Sequence, residues 1–301
     1  MKLLRHIAIV THCVPDLLTV VDAWTKHLGF KVVEQGRLGA GLCATWNTPA
    51  AAGQRYCTLR PESGQDSYIR FIETADRGGY GPPMTFGWNA TELLVRDVDG
   101  LAARLRGTPF RVLGGPGDLY PRPRAPRAMQ VAGPSGELIY FTRILPGGSR
   151  YGLHGARSEV DRVFIVTVGG PSSEQMHAFY GGTLGQRIMD RMPFFNSILA
   201  EGCGVPDTTV FPTSIARIPG RSFLVEMDEY PPGVQARRRR DGHLPPGMSM
   251  VSFLVECLDD VPVALRGPLR TIDGAPYGGR RVAVIEGNAG EWLELIEGAP
   301  T

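Results

Sequence analysis

The 301-residue chain has 43% hydrophobic and 21% charged side chains, which suits two domains of ordinary size and excludes a disordered chain. Its 32 basic and 30 acidic residues leave a net charge of +2, so no long-range field favours a nucleic-acid or membrane partner. The scattered, odd set of Cys13, Cys43, Cys57, Cys203 and Cys257 contains no C-x-x-C pair, which argues for reduced thiols and a cytoplasmic setting.

The opening MKLLRHIAIV lacks a small-residue cleavage site and reads as a first strand rather than a signal peptide. No apolar run approaches membrane-spanning length. After the apolar strand 6–10, Val14-Pro15-Asp16 opens a helix over Leu17–Leu28, whose Leu17, Val20, Val21, Trp24 and Leu28 share one face. Gly29 is its expected stop, and strands are predicted over 30–34, 41–46, 55–59 and 68–73.

The same order then recurs. The second copy has a strand at 91–95, the acidic turn Asp97-Val98-Asp99, a helix at 101–105 and strands at 129–131 and 137–141. The third has strands at 162–166, 209–217 and 222–227 with a helix near 174–180. The fourth has strands at 250–255, 281–285 and 291–297 and a very short helix after Leu258-Asp-Asp-Val261. This predicts an α+β chain of four βαβββ modules, paired along the sequence as 1–146 and 159–301, with 147–158 as linker. The segments 121–126 and 231–246, the latter containing Arg237 to Arg240, read as solvated loops.

The strings His6-Ile-Ala-Ile-Val, Val14-Pro-Asp-Leu and Leu28-Gly-Phe resemble the opening of a vicinal oxygen chelate module. Gly133-Pro-Ser-Gly-Glu-Leu-Ile139 and Gly290-Glu-Trp-Leu-Glu-Leu-Ile-Glu297 resemble its closing strand. That superfamily contains glyoxalases, extradiol dioxygenases and bleomycin-resistance proteins. The resemblance implies paired modules forming two curved mixed-sheet half-barrels, each around a cavity. Thr11-His12-Cys13 is a departure, lying where the family usually turns directly.

The resemblance further implies one divalent metal (Fe, Mn, Ni or Zn) held by residues of the first and last strands of each module. The first-strand positions read as His6, Asn89 or Ala90, Arg162 and Met250, and the last-strand positions as Glu73, Tyr140, Glu226 and Glu294. A slip of the strand's register would align Arg70 in place of Glu73. Pairing of copies one with two, or three with four, gives poor ligand sets. Pairing of one with four would join His6, Glu73 and Glu294 beside Met250, without the second histidine that a dioxygenase of this type would want.

Other readings stay open. His6 is equally well a sheet hydrogen-bonder, and Glu294 a solvated side chain. Tyr140 is a candidate acid/base and Arg162 a candidate for anion recognition or for an ion pair with Glu226. His12, Trp88, Glu226 and Met250 are candidate pocket residues. The chain has no G-x-G-x-x-G, P-loop, G-x-S-x-G or H-E-x-x-H signature.

These readings predict an isomerase or lyase that abstracts a proton next to a carbonyl of a small aromatic or oxygen-rich metabolite, with Glu294, Tyr140 and Arg162 as its catalytic candidates. The alternative is a metal-free ligand-sequestering protein of the bleomycin-resistance type; a homodimer is compatible with either. Glu294→Gln is expected to abolish turnover or metal binding with little change in stability.

Overall fold

The computed structural model describes residues 2–74, 81, 85–149, 152–219 and 223–298. Ser222, expected to begin a strand, and residues 150 and 151 of the expected linker lie outside them. The first module comprises β1 (His6–Val14), α1 (Leu17–Leu28), β2 (Lys31–Arg37), α2 (Ala40–Trp46), β3 (Arg55–Arg60) and β4 (Tyr68–Glu73). The second comprises β5 (Gly87–Val95), α3 (Val98–Arg104), β6 (Arg111–Asp118), β7 (Arg127–Ala132) and β8 (Leu138–Arg143). The third follows as β9 (Val160–Gly170), α4 (Ser173–His177), β10 (Arg187–Phe195), α5 (Ser197–Cys203), β11 (Val210–Ile218) and β12 (Phe223–Glu229). The fourth is β13 (Gly247–Val255), β14 (Arg270–Ile272), β15 (Arg280–Glu286) and β16 (Trp292–Glu297).

Local chemistry sets most boundaries. Asp16 caps α1 by accepting from the Thr19 N–H at 3.1 Å and the Thr19 hydroxyl at 2.7 Å. Gly29 ends it at φ 75°, a conformation that other side chains rarely adopt. Thr11-His12-Cys13 does not interrupt the first strand, because β1 continues through it to Val14.

Two local expectations are corrected. Residues 41–46 form the helix α2, not a strand: Cys43 and Trp46 are buried three residues apart, and Asn47 ends the helix at φ 57°. No helix forms after Leu258, where the Leu258 N–H instead donates to Glu297 and Pro262 and Pro268 follow. None of the helices in the described residues is long and apolar enough to cross a membrane.

The strands form two eight-stranded sheets, ordered β14-β15-β16-β13-β1-β4-β3-β2 and β10-β11-β12-β9-β5-β8-β7-β6. Module one therefore shares a sheet with module four, and module two with module three. Neither sequence half, 1–146 or 159–301, supplies a whole sheet. β1 and β13 join antiparallel at the centre of the first sheet, and β5 and β9 at the centre of the second.

Period-two alternation divides each strand between two environments. Ile7, Val10, Ile69, Phe71, Leu93, Phe141, Val225, Val251 and Leu295 enter one continuous core that includes α1, α3, α4 and residues of both sheets. Their neighbours face the concave sides. Arg237, expected in solvent, instead donates to the carbonyls of Trp88 at 2.5 Å and Met248 at 2.7 Å, bracing β5 against β13.

Candidate functional site

Four equivalent pairs of residues meet at the centres of the concave faces. Parallel register places Thr11 beside Arg70, Glu92 beside Tyr140, Thr167 beside Glu226 and Ser252 beside Glu294. The first and last pairs belong to the first sheet, and the middle two to the second.

In the first sheet this centre is closed. Arg70 donates to the Thr11 hydroxyl at 2.9 and 3.1 Å and to the Tyr277 hydroxyl at 2.5 Å. Glu294 accepts from Trp46 Nε1 at 2.7 Å, Tyr277 at 2.9 Å and Ser252 at 2.5 Å, and lies 3.6 Å from the Arg70 guanidinium. The guanidinium also lies 4.8 Å from the Trp46 ring centre and 5.8 Å from that of Tyr277. A fixed cation stands where a divalent metal would need ligands, so this donor set does not fit one.

The second sheet holds a cavity of about 610 Å³ at the corresponding place. Its walls include Phe164, Ile165, Phe194, Ile215 and Leu224, and among the described residues no Lys, Arg or His lines it. Leu119 and Phe195 also line it, and both are exposed hydrophobics, Phe195 at 62%. Glu92, Tyr140, Thr167 and Glu226 form the polar floor.

The electrostatics of that floor follow from burial without a cation. Burial pushes Glu92 up to about 7, opposed by a hydrogen bond from the Thr142 hydroxyl. Asp228, behind Glu226 on β12, rises to about 6, again by burial and against a 2.6 Å bond from Thr213. Glu226 is raised well above the ordinary carboxylate range by burial, then by Asp228 and Glu92. Tyr140 accepts from Asn196 Nδ2 at 2.9 Å, which leaves its own hydroxyl proton available to a ligand. Burial also raises the Tyr140 pKa, holding the phenol protonated.

Of the residues singled out from sequence, Tyr140 and Glu226 come together in this cavity. The proposed metal set His6, Glu73 and Glu294 does not converge. His6 hydrogen-bonds the Asp66 carbonyl at 2.6 Å and packs edge-on against Phe223. Glu73 pairs with Val14 in register, at the other end of β1 from His6, so about 26 Å of strand separates them. There it binds Arg55 at 2.5 and 2.7 Å. Among the described residues no group of three or more His, Cys, Asp or Glu is placed to hold a metal ion.

The other candidates serve packing. Arg162 lies over the Phe223 ring at 4.5 Å, five residues before the concave position taken by Thr167. His12 lies on the core side against Phe71, where burial and then Arg237 lower its pKa to about 3. Trp88 donates to the Trp292 carbonyl at 2.8 Å between the sheets. Met250 is buried with Trp46 and Trp292 on the first sheet's concave side.

The sequence reading missed Glu92, Thr142, Thr167, Asn196 and Asp228. One signal was present: Glu92 is the only charged residue in the predicted strand Thr91–Val95, but the resemblance directed attention to the strand's beginning. Asn89 turns back to the carbonyls of Thr85 and Gly87.

No family model and no curated protein matches the sequence. Solved structures do resemble the chain. A candidate dioxygenase from Bacillus subtilis subsp. subtilis str. 168 aligns over 100% of this chain and 87% of its own, with a TM-score of 0.65 at 12% identity. Glyoxalase I from Zea mays aligns over 97% of this chain and 92% of its own, with a TM-score of 0.61 at 13% identity. At such identities the likeness concerns architecture. The chain has the fold of the vicinal oxygen chelate superfamily, with four modules in two curved mixed sheets, the fourth lacking its helix.

Proposed function

We propose that the cavity of the second sheet is the active site of an isomerase or lyase that moves a proton next to a carbonyl of a small, largely apolar molecule without using a metal. The supporting observation is the facing pair Glu92 and Tyr140 on the floor of a cavity of about 610 Å³. A carboxyl group near 7 is about half ionised at neutral pH, which suits a general base.

In this reading the Glu92 carboxylate takes a proton from the carbon beside the carbonyl. The C–H electron pair moves into an enolate, whose oxygen receives a hydrogen bond from the Tyr140 hydroxyl. Asn196 orients that hydroxyl by donating to its oxygen. Return of the proton at another carbon completes an isomerisation; loss of a group from the next carbon completes an elimination. The apolar walls exclude water and strengthen these interactions.

A second reading, sequestration of a ligand without chemistry, is favoured by the lack of any basic side chain among the described lining residues. The two are separated by incubating the protein in D₂O with a panel of small aryl ketones and following deuterium entry at the carbon beside the carbonyl. Enzymatic exchange should fall by about a hundredfold in Glu92→Gln. Binding without exchange, with affinity unchanged in the variant, would select sequestration.

A further inference from the structure

Among the described residues, Glu226 has no hydrogen-bond donor and no cation against its carboxyl group. The charged groups that act on it are Asp228 and Glu92, both acidic. Elsewhere in this chain, a buried carboxylate has its counterpart supplied: Glu294 has Arg70, Tyr277, Trp46 and Ser252, and Glu291 has the Tyr180 hydroxyl at 2.9 Å and the Ala289 N–H. Glu226 instead lies on the floor of an open cavity, beside the space a ligand would fill. Leaving such a group unsatisfied is costly, so a ligand able to donate to it gains more there than in water.

The surroundings narrow the chemistry. Phe164, Phe194, Tyr120 and Tyr140 supply aromatic surface, whose ring faces attract positive charge. Glu92 lies on the same floor and Asp228 just behind it, so an anionic head group would meet three acids and no cation among the described lining residues. An uncharged acceptor meets only the protonated carboxyl of Glu226, whereas a cation draws out its carboxylate.

We propose that the cavity selects an organic cation, an ammonium or amidinium group carried on an apolar or aromatic body, with Glu226 receiving the cationic head. This names the ligand class for the site proposed above and rests on that reading. Glu226 is here a binding residue; proton transfer stays with Glu92.

A series matched in shape and differing in charge tests it: 2-(2-naphthyl)ethylammonium, 2-(2-naphthyl)ethanol and 3-(2-naphthyl)propanoate, titrated calorimetrically into the intact chain at pH 8. The cation should bind about tenfold or more tighter than the alcohol, with the carboxylate weakest. In Glu226→Gln the cation should lose about tenfold, while the alcohol keeps its affinity within about threefold. Equal or tighter binding of the alcohol or the carboxylate overturns the cation assignment and leaves the cavity as the binding site. Failure of all three to bind overturns both. Should the variant not fold, the ranking in the unmodified chain still decides.

Discussion

Glu92 and Glu294 both lie at the centre of a sheet's concave face, but only Glu294 has a guanidinium beside it. Glu92 has an ordinary value of 4.5 and rises to about 7 in the folded chain. Between those values the unfolded chain has released a proton that the folded chain keeps. The stability contribution is therefore complete below pH 4.5 and is lost as pH rises through 7. Asp228 acts in the same direction, from 3.8 to about 6. Urea unfolding at pH 5 and pH 8 should show the native chain losing stability with pH, and Glu92→Gln losing less, by on the order of 2 kcal/mol. An identical pH slope in the variant would contradict the burial of Glu92 as described. Glu294→Gln should behave differently, since it leaves the Arg70 guanidinium buried without a counter-charge. The structure reverses the expectation of a silent substitution: a loss of about 3–5 kcal/mol is expected, largely restored when Arg70→Met is added. A double-mutant cycle in urea measures that recovery.

At the scale of elements, the two sheets differ in what closes their concave faces. In the first, α2 brings Trp46 onto Glu294, and the chain before β14 lies against that helix. Gly267 makes the approach: a Cβ there would stand 2.3 Å from the Ala44 carbonyl oxygen and 2.6 Å from that of Thr45. Gly267→Ala should therefore cost about 1–3 kcal/mol in denaturant unfolding, because backbone rather than a mobile side-chain tip must shift. Unchanged stability would mean that the loop does not seal the face. In the second sheet α5 does not fill the centre, and Asn196, its cap, reaches Tyr140 instead. The strands missing from the sequence reading were β6, β10 and β14. Two are sheet edges by strand order at β10 and β6, and β14 is the edge of the first sheet. Edge strands tolerate Pro193 and the glycines of 111–118, so their composition does not announce them.

For the whole molecule, the exchange of modules between halves has a measurable consequence. Each sheet takes one module from 1–146 and one from 159–301, and each half alone exposes two central strands, β1 and β5 or β9 and β13. Expressed separately, the halves should remain unfolded or aggregate; co-expressed, they should associate into a complex with the native far-ultraviolet dichroism and cooperative unfolding. A half that folds alone as a monomer would show that its modules can pair with each other. The same exchange explains why one cavity is open and one closed: each sheet joins modules of different sequence, so its centre combines side chains that no single module contains.

The repeat, the helix α1 with its Asp16 and Gly29 ends, and strands such as Tyr68–Glu73 were legible in the sequence, because they depend on periodicity and on backbone preferences of neighbouring residues. The last-strand residues Tyr140, Glu226 and Glu294 were singled out through the resemblance, which marks that strand of each module. What faces them was not. Whether His6 or Thr11 stands opposite a closing strand depends on register between segments about sixty residues apart, and one step in register moves a side chain from cavity to core. Only the tertiary structure placed Arg70 against Glu294 and left Glu92 and Glu226 around an open space, since hydrogen bonding, burial and charge at those positions come from partners distant in the chain.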